Sequence, residues 1–420
     1  MSIGTLVASR TGFFFGWWVV FVAAAVIFLT GGTFFYGFSV LFGPIVDEFG
    51  WSRASVSLGF SLRTEVGGLA APLVGFLVDR VGSRRLMVFG VAIVAIGFVM
   101  LSRVEALWAF YGSVVVIAIG MSAAAGPVGI VAVAHWFRRR RGRALAFMAM
   151  GAGSSGIMVL VLSWLVATFD WRNALLIIAA LQVAICLPLA FSMRDRPSDM
   201  GLHPDGDGDE EPSAGTEPIE REALEGMGVR QALRNADFWR LAFAVGLANL
   251  GAMAIIVHQI PFLTGSVGLS DGAAAAAASG MILISIPGRF GFGFLADQMD
   301  KRFVMAAASA LLALSVLLFA TIHEPWQVFL VLPLFGIGWG GVIPVRPALQ
   351  AEVFGLRAFG AIQGLVFTIA TLGGLGGPVF AGWMFDQTES YRLAFALLAA
   401  GGLGAAPLIL GLRPSRWRVA

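Results

Sequence analysis

Apolar residues run along this chain in blocks of about 17 to 30, and charges, Gly and Pro, or polar clusters fall between the blocks far more often than within them. A helix that crosses a bilayer needs roughly 20 consecutive apolar residues. The blocks predict such helices near residues 14 to 43, 54 to 78, 86 to 102, 107 to 134, 144 to 168 and 174 to 192, and again near 239 to 264, 273 to 296, 303 to 322, 326 to 345, 361 to 385 and 393 to 412. The uncharged stretch from Thr11 to Val46 far exceeds the core of a secretory signal, so it is read as the first span. The expected organisation is an N-terminal six-helix half over 1–193, a linker over 194–236 and a C-terminal six-helix half over 237–420.

Composition agrees with the blocks. Of the 420 residues, 58% are hydrophobic and 13% charged, about half the charge of a soluble domain, which excludes a water-soluble fold. The linker holds Asp205, Asp207, Asp209, Glu210 and Glu211 among Gly and Pro, a mixture that buries no core, and is expected to be flexible. Its end, Val229 to Trp239, is expected to form a short amphipathic helix. Cys186 is the only cysteine, so no disulfide framework or thiolate metal site can be built.

The net charge of +3 resides in clusters between spans, a membrane-topology pattern rather than a nucleic-acid face. One alternating set of loops holds Arg10, Arg80, Arg84, Arg85, Arg138 to Arg141, Arg143, Lys301, Arg302, Arg357, Arg413, Arg416 and Arg418; the other holds only Arg53, Arg103, Arg172 and Arg392. That bias predicts cytoplasmic termini and linker, and therefore an even number of spans. Lys301 is the only lysine, against abundant Arg, Ala and Gly; this is the composition of a GC-rich bacterial genome and suggests an inner membrane.

After the second span, Gly75, Asp79, Arg80, Gly82, Arg84 and Arg85 form GxxxDRxGxRR, and Gly293, Asp297, Lys301 and Arg302 repeat it in degenerate form 218 residues later. Two related halves are therefore expected. The Gly admits close helix approach, while Asp79 suits a helix N-terminus or an Arg, a gating device rather than a cargo site.

In this loop the chain resembles the major facilitator superfamily. The segments GWW from Gly16, HWFRRRRGRALAFMAMGAGSSG from His135 and ALRNADFWRL from Ala232 narrow the resemblance to bacterial monocarboxylate porters near the oxalate and formate exchangers. The resemblance implies an all-α membrane fold of twelve helices in two six-helix halves around a central cavity, acting as a monomer without a cofactor, with a small organic anion as cargo and a proton or counter-anion as co-substrate. It also implies that Arg289, in the setting GRxxxGxxxD, holds the cargo carboxylate. Animal relatives carry an Asp one turn before that arginine and a Lys in the first helix; here Ser285 occupies that turn, and the first span offers Thr33 and Tyr36.

Charges inside spans carry most of the functional signal, because each is costly in hydrocarbon. Arg289 lies deep in the eighth span, and its repeat counterpart is Ala71, so packing alone does not call for a cation there. A guanidinium stays charged and grips a carboxylate with two parallel N–H bonds. Arg63 and Glu65 in the second span are candidate proton-coupling residues, with Glu65 the candidate proton carrier, against a structural pairing within the N-terminal half. His258 in the outer part of the seventh span is a candidate cargo contact, against a packing role. Tyr36, Trp339 and Phe367 are candidate cavity aromatics, and Arg346 is read as snorkelling from the end of the tenth span. A multidrug exporter would show more acids in the membrane. A transport-inactive sensor is the third class. An enzyme would need a catalytic constellation, and the sequence offers none.

Overall fold

A computed structural model describes residues 14–125, 127–137, 141–203, 205, 226–355 and 358–413. The described residues are helical almost throughout. Ten helices are long and apolar enough to cross a membrane. One of them, Ala144–Ser192, has 49 residues, about 74 Å if straight and twice a bilayer. It breaks at Asp170, where φ is 68° and ψ 167°. The Asp170 carboxylate accepts the N–H groups of Arg172 and Asn173, capping the arm that follows. The helix is thus two spans. Arg53–Val81, 29 residues long, is the twelfth.

The spans are α1 Phe15–Phe49, α2 Arg53–Val81, α3 Ser83–Ser102, α4 Leu107–Trp136, α5 over 144–169 and α6 over 171–192. They continue as α7 Ala236–Gly265, α8 Asp271–Gln298, α9 Lys301–Ala320, α10 Pro325–Phe354, α11 Phe359–Thr388 and α12 Arg392–Leu410. Among the described residues the fold is all-α, with twelve spans. A π-helical turn, Gly31–Tyr36, interrupts α1.

The chain divides into two compact units. Unit 1 holds Met1–Phe49 and Leu62–Glu211; unit 2 holds Gly50–Ser61 and Pro212–Ala420. In unit 1, α1 packs on α5 and α3 on α4; in unit 2, α7 packs on α11 and α9 on α10. Each pairing recurs six spans on, which is the internal repeat in packing terms. At the far end of unit 1, Glu48 on α1 pairs with Arg172 on α6 at 2.7 Å and accepts from the Trp171 indole N–H. Arg172 also donates to the carbonyls of Ser102 and Val104, so one guanidinium ties three spans.

Several boundaries differ from expectation, and the first span runs to Phe49 rather than 43. The short helix stops at Arg234, because the Asn235 side chain accepts from the Asp237 N–H and caps α7 instead. The tenth span runs to Phe354 rather than 345, carrying Pro344 and Pro347 inside it. The start of α2, expected in the N-terminal half, belongs to unit 2. Expectations for Arg10, Arg138 to Arg140, Arg357, Arg416, Arg418 and most of the linker fall outside the described residues, as do those for the side chains of Gly75, Asp79, Arg141 and Arg143.

Candidate functional site

In unit 2 the anchor candidate lies on α8. Arg289 is half-buried, nine residues from the helix end at Gln298, about 13 Å along the axis. Its backbone lies under α10: a Cβ built on Gly340 would press on the Ser285 carbonyl oxygen and stand 3.0 Å from the Arg289 nitrogen. Only a residue without a side chain lets the two helices approach so closely. Ser285, one turn before Arg289, is buried, and its hydroxyl donates to the Ile282 carbonyl at 2.6 Å. It turns back onto its own helix, leaving oxygen lone pairs but no spare proton.

Arg346, read from the sequence as snorkelling from the end of the tenth span, stands deeper in the helix than that reading placed it. Because α10 continues to Phe354, Arg346 stands eight residues inside the helix, about 12 Å from its end, at a depth like that of Arg289. Its guanidinium carbon lies 5.5 Å from the centroid of the Phe367 ring on α11, a cation–π distance. Among the described residues no carboxylate pairs with it. Trp339, half-buried, stands seven residues before it, on the same face of α10 two turns away. Arg346 and Phe367 are thus placed together.

In unit 1 the structure brings Tyr36, Arg63 and Phe35 together. Tyr36 is buried in the π-helical turn, its ring edge-on to Phe35 at 4.8 Å. The Arg63 guanidinium lies 4.6 Å over the other partner's ring, Phe35, and donates to the Thr64 hydroxyl at 3.1 Å. Glu65 is half-buried, two residues on and across the helix.

His258 is fully buried in a different setting, at the start of α2. Its Nε2 lies 2.9 Å from the Pro378 carbonyl and 3.1 Å from the Ser57 hydroxyl, and its ring packs on Tyr391 at 4.8 Å. A carbonyl only accepts, so Nε2 carries the hydrogen. Beside it, Asp386 accepts the backbone N–H groups of Arg53 and Ala54 at 3.0 and 3.1 Å. Arg53 lies 4.1 Å over Phe385 and donates to the Tyr391 hydroxyl at 2.9 Å. The cluster caps α2 and holds its first turns within unit 2.

Of the loop motif, Gly82 has φ 89° and links α2 to α3, with the Asp195 carboxylate against it. Arg80 and Arg85 are exposed and Arg84 half-buried. In the degenerate copy, Gly293 faces Pro344 and Asp297 is exposed, while Lys301 pairs with Glu352 at 2.8 Å and Arg302 with Asp300 at 2.6 Å.

Twelve helices in two six-span repeats, with guanidinium groups deep inside spans, define a multi-pass membrane transporter rather than an enzyme. The sequence model of the Major Facilitator Superfamily matches residues 23–290 and 246–419, and the chain belongs to that family. An uncharacterised MFS-type transporter, YcxA of Bacillus subtilis, is 26% identical over 394 residues, covering 90% of this chain and 91% of its own. The oxalate:formate antiporter of Oxalobacter formigenes is 24% identical over 400 residues, covering 92% of each. Rat monocarboxylate transporter 12 is 25% identical over 383 residues, covering 87% of this chain and 77% of its own. Among solved structures, a bacterial homolog of the human lysosomal transporter Spinster, inward-facing and unoccupied, aligns over 94% of both chains with a TM-score of 0.69 at 18% identity, a likeness of fold.

Proposed function

We propose that this transporter carries a small organic anion, a monocarboxylate in the first instance, by alternating access in a bacterial inner membrane with both termini cytoplasmic. One observation carries the reading. Among the described residues, four charged side chains lie more than two turns inside a span, and three are cations: Arg63, Arg289 and Arg346 against Glu65. Every such charge costs free energy in hydrocarbon, and a cationic surplus is repaid when an anion arrives. Names of relatives that carry monocarboxylates or exchange oxalate and formate support the same class. Arg289 is the anchor; Glu65 is the proton carrier if the cycle is proton-linked. The loop around Asp79 serves as the gate.

A dicarboxylate is the second reading, favoured by Arg346, a second guanidinium at the depth of the first and on a neighbouring helix. Uptake of labelled lactate, pyruvate, formate and oxalate into proteoliposomes separates these readings. Arg289→Ala is expected to abolish uptake of every acid. Arg346→Gln is expected to spare lactate under the first reading and to lose oxalate selectively under the second. Glu65→Gln removes accumulation driven by a pH gradient while leaving exchange against internal anion. No Arg289-dependent flux of any acid would sink the anion assignment.

A further inference from the structure

Where α2 gives way to α3, beside the loop proposed as the gate, unit 1 contains a cavity of about 860 Å³. Arg84, Arg85, Arg196 and His135 line it, together with Phe89 and Phe191. Arg80, Asp195 and Asp199 complete the charged lining, which leaves the cations in the majority. The two carboxylates are already engaged by backbone: Asp195 accepts the Arg84 N–H at 2.8 Å, and Asp199 accepts the Arg196 N–H at 3.0 Å. Among the described residues no ion pair takes up the side chains of Arg84, Arg85 or Arg196.

The apolar wall is exposed as well. Phe89 is 70% and Phe191 49% exposed, both on spans whose outward surface meets lipid. Arg85 and Phe89 stand one turn apart on the same face of α3, their backbone positions about 6 Å apart along the axis. Arg196 follows Phe191 by five residues as α6 leaves the membrane. A soluble anion has no use for the two phenyl rings, and a neutral acyl chain has none for three arginines. A molecule with a phosphate at one end and acyl chains at the other suits both kinds of lining. The geometry points to a binding site for an anionic phospholipid, its phosphate among Arg84, Arg85 and Arg196 and its chains along Phe89 and Phe191. The site is built entirely from unit 1 and shares no side chain with the cargo anchor.

The purified full-length chain in mild detergent is titrated with phosphatidylglycerol or phosphatidylcholine. Retained lipid is read by native mass spectrometry, and the thermal unfolding midpoint is read in parallel. Phosphatidylglycerol is expected to bind and to raise the midpoint, with phosphatidylcholine doing neither. Arg85→Gln with Arg196→Gln is expected to weaken binding by roughly 25-fold, about fivefold for each charge lost near the headgroup. Phe89→Ser is expected to weaken lipid binding without changing the response to inorganic phosphate. Equal unfolding midpoints of the variants without lipid establish that they fold. Equal retention of the two lipids, wild-type retention by the double variant, or full protection by inorganic phosphate alone would each overturn the lipid assignment.

Discussion

Replacing Gly340 by Ala tests how the anchor is positioned. The added methyl falls on the Ser285 carbonyl oxygen, 2.9 Å from its carbon and 3.0 Å from the Arg289 nitrogen, whereas ordinary contact begins at 3.4 Å. All three are backbone atoms, so no side chain can swing aside, and α8 must retreat from α10 by about 1 Å at the turn that bears Arg289. Overpacking of this kind costs about 1 to 3 kcal/mol. An ångström of displacement at a positioning residue costs on the order of a hundredfold where geometry governs the outcome, and a two-bonded guanidinium–carboxylate grip is such a case. The expected result is a lower unfolding midpoint in detergent and at least a tenfold rise in the KM for uptake. Gly280→Ala on α8 is the control, because nothing lies within 4 Å of a Cβ there; it should behave as wild type or slightly better. If Gly340→Ala matches Gly280→Ala in both assays, the close crossing does not position Arg289.

Other outcomes follow from groups outside the anchor. Asp386→Ala removes the carboxylate that accepts the first N–H groups of α2 and should cost about 0.5 to 2 kcal/mol, measured by thermal or denaturant unfolding; an unchanged midpoint would mean that water caps the helix equally well. Asp300 accepts the Arg302 guanidinium, which holds its carboxyl below the ordinary carboxylate range. A depressed pKa contributes stability that is complete above the unfolded value, near 4, and is lost as pH falls through the folded one. Wild type should therefore lose midpoint on acidification below about pH 4 more steeply than Asp300→Asn, and parallel profiles would refute the contribution.

Hydropathy located the spans because each one must satisfy its own backbone in lipid, which leaves a length signature that needs no tertiary information. Ends were read less well where proline intervened. Pro344 and Pro347 lie within α10, and only the packing of α8 and α9 along it reveals that the helix continues to Arg346 and beyond. Arg289 stood out in the sequence because a charge in a span is conspicuous whatever surrounds it. The setting of His258 was not legible: its partners Ser57, Pro378 and Tyr391 lie 201, 120 and 133 positions away along the chain, and no local pattern encodes such a meeting. The same holds for the arginines of the α2–α3 loop, whose spacing announced a gate motif but not the two phenylalanines beside them.

The π-helical turn in α1 has a consequence for what the chain tolerates in length. Such a turn holds one more residue than an α-helical turn, so the stretch from Phe38 to Phe49 is rotated by about 100° from where an unbroken helix would point it. Glu48 reaches Arg172 only in that rotated setting. Deleting either Gly31 or Gly32 would restore regular helix and swing Glu48 off its partner while the opening turns of α1 kept their seat on α5. A one-residue deletion in a solvent-exposed loop is a matter of slack; here it decides whether α1 remains tied to α6 at that end of unit 1.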